Sequence, residues 1–129
     1  LKKIIFLKKS KSTEFMKDYH KIDLALDTFP YTGVTTSFQS YLMGVPLLTL
    51  KGFNMNSRCG ESINTNLGLN DFIADNLDEY YKKSISLQDK NKLSNLRSTL
   101  RNKILSSSLF DTDNFVKDLT SVFEKILKQ

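Results

Sequence analysis

The sequence predicts an α/β fold in which a partial Rossmann-like parallel sheet is flanked by helices and followed by C-terminal helices. Two observations carry this prediction. Short apolar runs of strand length alternate with longer segments of helical periodicity. Glycines also stand where two of the predicted helices should end. The chain of 129 residues is long enough to bury one core, so we expect a single domain over residues 1–129.

The first half of the chain supplies three predicted strands and two helices. Pro46 opens the third strand, where a missing N–H is tolerated, and Gly44 ends the second helix. The second strand is nearly all apolar, so we expect it to be covered on both faces. The predicted strands are 4–7, 23–27 and 46–50, adjacent and parallel, and the helices are 12–21 and 35–43.

The second half is predicted to be mainly helical. A helix over about 57–67 ends at Gly68, a short strand follows at 71–74, and Asn76 with Glu79 caps the next helix. Two more helices carry apolar residues at helical spacing, and we expect both stripes to face the core. The stripes are Leu93, Leu96, Leu100 and Ile104, and then Phe115, Leu119, Val122 and Ile126.

The segment 23–37 carries the main functional signal. An apolar strand runs into a loop containing Pro30 and Gly33, and Thr35, Thr36 and Ser37 then open an apolar helix. The unpaired N–H groups of a helix N-terminus favour phosphate, and a glycine lets a ligand approach the main chain. The alternative is that the hydroxyl cluster only caps the helix, as threonine and serine often do.

Composition narrows the other function classes. Cys59 and His20 are the only cysteine and histidine, which disfavours a disulfide, a zinc site or a Ser-His-Asp triad. The net charge of +5 comes almost entirely from lysine. These lysines are not interleaved with aromatic residues, so a solvated surface is favoured over a nucleic-acid interface. No apolar run reaches membrane-spanning length, and we expect a cytoplasmic protein that binds neither nucleic acid nor membrane.

Several short motifs together resemble the protein O-GlcNAc transferase family, especially its bacterial members, which often carry tetratricopeptide repeats. The resemblance covers nearly the whole chain, and its ordered set of motifs is more specific than any one of them. The motifs are Asp23-Leu24-Ala25-Leu26-Asp27, Pro30-Tyr31, Gly33, Thr35-Thr36, Gly44-Val45-Pro46, Thr49-Leu50, Ser57-Arg58, Gly68-Leu69, Ile73-Ala74, Glu79-Tyr80, Leu96-Arg97, Leu100-Arg101 and Ser107-Ser108-Leu109-Phe110.

The resemblance implies the later part of the C-terminal lobe of a two-Rossmann, GT-B type glycosyltransferase. It further implies a UDP-sugar donor and a protein acceptor reached through an N-terminal lobe or repeats. Because the sequence begins without Met and matches only this later part, we expect it to belong to a longer protein. No catalytic residue, metal ligand or cofactor is assigned within it, and the UDP-sugar is a substrate.

The site residues implied by the resemblance are few. Thr35 and Thr36 inherit contacts to the diphosphate within the turn from Gly33 to Ser37, and Gln39 takes the place of an acidic residue near the ribose. Val34 stands where family members usually have histidine. Two further positions, a histidine and an arginine in some members, are Phe15 and Asp18 here.

Two alternative functions are weighed against this one. A degenerate lobe that only binds or packs against a repeat domain would also suit the changes at Val34 and Gln39. A receiver-like or flavodoxin-like domain is disfavoured because its acidic pocket or flavin loops are missing.

Two further expectations concern the predicted sheet. Asp23 and Asp27 flank a strand and are interpreted as cap or turn formers rather than metal ligands. We also expect an open sheet edge that favours homodimerisation.

Overall fold

The computed structural model describes residues 4–8, 10–87 and 89–128. Three short strands alternate with helices and are followed by three further helices. The strands are β1 (Ala25–Leu26), β2 (Leu47–Leu50) and β3 (Ile73–Ala74). The helices are α1 (Ser12–Asp18), α2 (Thr35–Leu42), α3 (Cys59–Asn66), α4 (Leu77–Ser86), α5 (Lys90–Leu105) and α6 (Thr112–Leu127), with 3₁₀ turns at Tyr19–Lys21, Met55–Ser57, Asn70–Phe72 and Ser108–Phe110.

The three strands form a parallel sheet in the order β1-β2-β3. Ala25 is opposite Leu47 in the first pair, and Thr49 is opposite Ile73 in the second. Helices α2 and α3 make the two crossovers between successive strands, so the predicted α/β class and the parallel arrangement of the second and third predicted strands are confirmed. All three strands consequently end at the same edge of the sheet.

The core lies around β2, against which α2, α3 and α4 pack, while α5 packs against α2. One buried amide, that of Asn64, lies within this mainly apolar core. Asn64 Nδ2 donates to the carbonyl oxygens of Leu47 (3.0 Å) and Phe72 (3.1 Å), and Tyr41 donates its hydroxyl proton to Asn64 Oδ1. Because every polar atom of this amide has a partner, the core fixes α2, α3 and β2 in one arrangement.

Predicted helix ends agree with the structure. Gly44 follows α2 with a φ of 74°, and Gly68 follows α3 with a φ of 63°. Both angles lie in the left-handed region that glycine adopts without strain, so each helix ends where the sequence indicated. Asn76 accepts a hydrogen bond from the Glu79 N–H at 2.9 Å, which confirms the predicted cap of α4.

The predicted strand at 4–7 is wrong. These residues have no regular structure, and their side chains point largely into solvent, with Phe6 90% exposed. An apolar run becomes a strand only when a neighbouring backbone accepts its hydrogen bonds. In the described part of the chain, β1 pairs only with β2. The other edge of β1, where residues 4–7 were expected to pair, has no partner strand among the described residues.

The second predicted strand is shorter and less buried than expected. Residues 23–27 form a ladder only at Ala25–Leu26, and Leu26 is 55% exposed. Its apolar composition indicated a strand covered on both faces, which is wrong at Leu26 because no element of the described chain covers the face that carries this side chain. Whether this edge supports a homodimer stays a prediction.

The apolar stripe on α5 is mostly buried, whereas that on α6 is not. Leu93, Leu100 and Ile104 of α5 are buried, as predicted. None of the residues of α6 is buried, so the prediction of a core-facing stripe on that helix is wrong for the described chain. Periodicity identifies an apolar face but not the surface that covers it.

Two matched substitutions test this core assignment. Ile104 is 0% exposed on α5 and Ile126 is 60% exposed on α6. Ile104→Ala should lower the free energy of unfolding by about 2–5 kcal/mol because it leaves a cavity. Ile126→Ala should change it by less than about 0.5 kcal/mol. Urea denaturation measures both, and an equal loss in the two variants would contradict the assignment.

Candidate functional site

The loop over residues 27–34 carries the chain from the end of β1 to the start of α2. It lies at the edge where all three parallel strands end. In open α/β sheets, ligands bind in the crevice beyond the carboxyl ends of the strands. The predicted site residues at the start of α2 therefore lie at the edge where a ligand is expected to bind.

Asp27 organises this loop from within. Its Oδ1 accepts hydrogen bonds from the backbone N–H of Thr28 at 3.0 Å and of Gly33 at 2.9 Å. Its Oδ2 accepts from the hydroxyl of Thr49 at 2.9 Å. The side chain is buried, and the interpretation of Asp27 as a turn former is consistent with these bonds.

Ionisation in this region is shaped by burial. Burial raises the pKa of Asp27, while hydrogen bonds from Gly33, Thr49 and Thr28 oppose that shift. The hydroxyl of Tyr80 donates to the Asp27 carbonyl oxygen at 2.9 Å. Burial, followed by the charge of Asp27, raises the pKa of Tyr80 to about 12, so this hydroxyl stays a donor at neutral pH.

The first turn of α2 is open to solvent and uncapped by the protein. Val34 is the N-cap residue, and no side chain caps the helix. Within the described ranges, none of the backbone N–H groups of Thr35, Thr36 and Ser37 donates a hydrogen bond, whereas the next one, that of Phe38, donates to Val34 O at 3.0 Å. The alternative interpretation, that the hydroxyl cluster Thr35-Thr36-Ser37 only caps the helix, is therefore wrong, because no side chain of the cluster accepts an N–H of the first turn.

Gly33 brings the main chain close to this helix end. A Cβ at this position would lie 2.5 Å from Thr36 Oγ1 and 2.9 Å from Ser37 Oγ, so no larger residue fits without displacing them. The loop is also fixed on its far side, because the Thr32 hydroxyl donates to Asn56 O at 2.9 Å. The turn is therefore held from two sides before any ligand arrives.

The five predicted site residues do not share one environment. Gly33, Thr36 and Ser37 line a cleft of about 170 Å³, together with Tyr19 and Asp27 among others. Ser37 is buried and donates its hydroxyl proton to Gly33 O at 2.9 Å. Its side chain therefore holds the turn, and a direct contact from Ser37 to a ligand remains a prediction.

Thr35 and Gln39 lie outside the lining of that cleft. They stand four residues apart on α2 and so share one face of the helix. Thr35 is exposed and Gln39 is half-buried. Among the hydrogen bonds of the described residues, none involves the hydroxyl of Thr35 or that of Thr36, so both are free to donate to a ligand.

The two further positions from the resemblance have local partners. Asp18 forms an ion pair with Lys21 at 2.6 Å. Phe15 packs edge-on against Tyr19, with ring centroids 5.5 Å apart. Both contacts lie within α1 and the turn after it, so neither side chain is directed to the first turn of α2 by a contact of the described residues.

Sequence reasoning missed three residues, Tyr19, Thr49 and Tyr80, whose hydrogen bonds hold the loop and the first turn of α2 in place. The Tyr19 hydroxyl donates to Thr36 O at 3.4 Å and so connects the turn after α1 to α2. Thr49 and Tyr80 each hold Asp27, as described above. An aspartate directly after a strand and six residues before a glycine is the one signal that could have indicated this network.

The described residues form neither a metal-binding cluster nor a helix that could cross a membrane. Across residues 4–8, 10–87 and 89–128, no three His, Cys, Asp or Glu side chains are grouped so as to hold a metal ion. No described helix combines the length and apolar content that a membrane crossing requires.

Comparison with known proteins decides the family. The sequence profile of glycosyl transferase family 41 matches residues 1–119. The chain belongs to glycosyl transferase family 41. Two curated relatives from plants agree with this assignment. A probable UDP-N-acetylglucosamine--peptide N-acetylglucosaminyltransferase SPINDLY from Eustoma exaltatum subsp. russellianum is 38% identical over 114 residues. A probable enzyme of the same description, SEC from Arabidopsis thaliana, is 34% identical over 125 residues.

A solved structure confirms the fold of this family 41 chain. A mutant O-GlcNAc transferase from Thermobaculum terrenum superposes with a TM-score of 0.82 at 34% identity, covering 92% of this chain and 23% of that one. The predicted relation to the C-terminal part of a two-Rossmann glycosyltransferase is thus confirmed. The chain spans 12% of the Eustoma relative and 13% of the Arabidopsis one, while 88% and 95% of its own length are matched.

The raised pKa of Asp27 predicts a pH-dependent stability difference. A folded-state pKa above the unfolded value means that stability from protonated Asp27 is complete below the unfolded pKa and is lost as pH rises through the folded pKa. Asp27→Asn cannot titrate. The difference in free energy of unfolding between variant and wild type should therefore shift in favour of the variant as pH rises from about 3 to about 7. Urea denaturation across this range measures it, and a difference independent of pH would contradict the shift.

Proposed function

We propose that this chain forms the nucleotide-sugar-binding surface of a protein O-GlcNAc transferase-type glycosyltransferase. The donor would be a UDP-sugar and the acceptor a protein serine or threonine. The observation that carries the proposal is the uncapped first turn of α2, at the carboxyl edge of the sheet, in a member of family 41. The names of the two plant relatives, which specify UDP-N-acetylglucosamine and peptide, support this choice of donor and acceptor.

The chemistry asked of this surface is stabilisation of a leaving group. In an inverting sugar transfer, negative charge builds on the departing diphosphate as the bond to the sugar breaks. Donors that are already oriented stabilise that charge without reorganising. The N–H groups of the first turn of α2 are donors of this kind, and the helix dipole adds partial positive charge. The free hydroxyls of Thr35 and Thr36 supply further donors that can rotate toward the diphosphate.

The ribose is assigned to the same face of α2 as Thr35, one turn further along the helix. Gln39 lies one turn beyond Thr35, and its amide can both donate to and accept from sugar hydroxyls. The cleft lined by Gly33, Thr36 and Ser37, at about 170 Å³, is smaller than the roughly 300–1,000 Å³ of typical ligand pockets. We therefore propose that this surface covers only part of the donor and binds it weakly on its own.

A cytoplasmic setting and an association with helical repeats complete the proposal. The single cysteine, Cys59, is consistent with a reducing compartment. Repeats are proposed only because the bacterial family members that the sequence resembles often carry them.

Removal of either threonine hydroxyl tests the site directly. Thr35→Ala and Thr36→Ala should each weaken UDP binding by about 1 kcal/mol or more, because each removes a hydrogen bond to a charged group. Thr99→Ala is the matched control, since Thr99 is an exposed helical threonine whose hydroxyl donates to Leu96 O. Calorimetry with UDP measures all three. Unchanged affinity in both site variants, or an equal loss in Thr99→Ala, would contradict the proposal.

Restoration of the family residues tests donor preference. Val34→His with Gln39→Glu should raise affinity for UDP, since histidine adds a donor beside the phosphates and glutamate accepts more strongly from ribose hydroxyls. The gain should be about tenfold at most, because a net hydrogen bond contributes roughly 0.5–1.5 kcal/mol. Titrations with UDP and GDP on the folded double variant measure it. Weaker UDP binding would show that the native pair suits a different donor.

A further inference from the structure

We propose that Asp27 is a positioning residue, whose buried carboxylate holds the turn from Gly33 to Ser37 in the geometry that receives a diphosphate. The inference rests on the proposed function, because it concerns how the same site is built. Asp27 acts through the main chain of the turn and is not assigned a contact with the donor.

The carboxylate joins two separate parts of the chain. One oxygen accepts the N–H groups of Thr28 and Gly33, at 3.0 and 2.9 Å, and so closes the loop on itself. The other accepts the hydroxyl of Thr49 on β2 at 2.9 Å. With its side chain only 6% exposed, Asp27 has both oxygens occupied and little surface left for a ligand. Asp27 therefore fixes the position of the loop relative to β2, the central strand of the sheet.

The start of α3 packs closely against the hydrogen-bonded pair of Asp27 and Thr49. Gly60 on α3 lies so close that a Cβ there would be 2.4 Å from Thr49 Oγ1 and 2.5 Å from Asp27 Oδ2. Only a residue without a side chain leaves room for the Asp27–Thr49 hydrogen bond at this point. The start of α3, the centre of the sheet and the loop before α2 therefore meet at one carboxylate.

The effect of Asp27 reaches the helix end in two steps. Its bond to the Gly33 N–H fixes the peptide groups around Gly33, and the carbonyl oxygen of Gly33 in turn accepts the Ser37 hydroxyl at 2.9 Å. The Ser37 hydroxyl thus has its partner within the turn, and the N–H groups of Thr35 and Thr36 stay without a protein acceptor. Loss of the carboxylate would free the loop to cap those N–H groups itself or to move away.

The experiment combines UDP titration with amide exchange measured by NMR on the ¹⁵N-labelled protein. Asp27→Ala should weaken UDP binding by about tenfold or more, as expected when site geometry loosens, and should speed exchange at the Gly33 N–H. Asp27→Asn should stay within about threefold of wild type, because an amide oxygen still accepts both N–H groups and its nitrogen can donate to Thr49. This rescue separates positioning from general loss of charge.

Three further variants act as controls. Asp23→Ala, at the other end of the same strand segment, removes a 3.1 Å ion pair with Arg97 and should leave UDP affinity unchanged. Leu100→Ala destabilises the core away from the loop and should lower the melting temperature without tenfold loss of UDP affinity. Thr49→Val removes only the second anchor and should shift the Gly33 amide signal and weaken binding severalfold. It also serves as the test if Asp27→Ala does not fold.

Each outcome decides the inference. Full UDP affinity in folded Asp27→Ala, equal losses in Asp27→Ala and Asp27→Asn, or a loss in Leu100→Ala as large as that in Asp27→Ala would overturn it. So would a Thr49→Val variant with unchanged Gly33 signal and affinity. If wild type itself does not bind UDP, the proposed function fails. The exchange rate of Gly33 in Asp27→Ala and Asp27→Asn then still tests whether the carboxylate holds the turn.

Discussion

The placement of the candidate site depends on how the backbone is satisfied between β1 and α2. Eight residues, 27–34, must leave the sheet and begin a helix whose first N–H groups stay unpaired. The carboxylate of Asp27 accepts the loop's own N–H groups, and Thr49 attaches that carboxylate to β2. With the N–H groups of Thr28 and Gly33 bonded to Asp27, and that of Thr32 bonded to Asn56 O, the loop does not cap α2. The helix end is left available, which is the property that an anion site requires.

The rest of the fold serves to hold that edge steady. Strand β2 is the central strand of the sheet and is contacted by helices α2, α3 and α4. The Asn64 amide then joins β2 to the turn before β3 and, through Tyr41, to α2. A fully satisfied buried amide tolerates no shift of its neighbours, because any shift leaves an unpaired polar group in the core. Rigid placement of α2 on the sheet thus follows from the core.

Sequence reasoning succeeded where local chemistry and burial act together. Alternating strands and helices predicted the α/β class, and Gly44 and Gly68 marked helix ends because only glycine takes their positive φ without strain. It failed at residues 4–7 and on α6, where an apolar pattern was correct but no described surface covers it. Buried partners of the site, such as Tyr19 and Thr49, were missed because a long-range hydrogen bond leaves no periodic signal in the chain.

A crystal structure of the protein with UDP would show directly whether the first turn of α2 binds the diphosphate. We expect the diphosphate at the N-terminus of α2, with phosphate oxygens within hydrogen-bond distance of the N–H groups and hydroxyls of Thr35 and Thr36. We also expect Asp27 to stay bonded to Gly33 and Thr49 in the complex. UDP bound at another edge of the sheet, or a diphosphate that contacts neither threonine, would contradict this expectation.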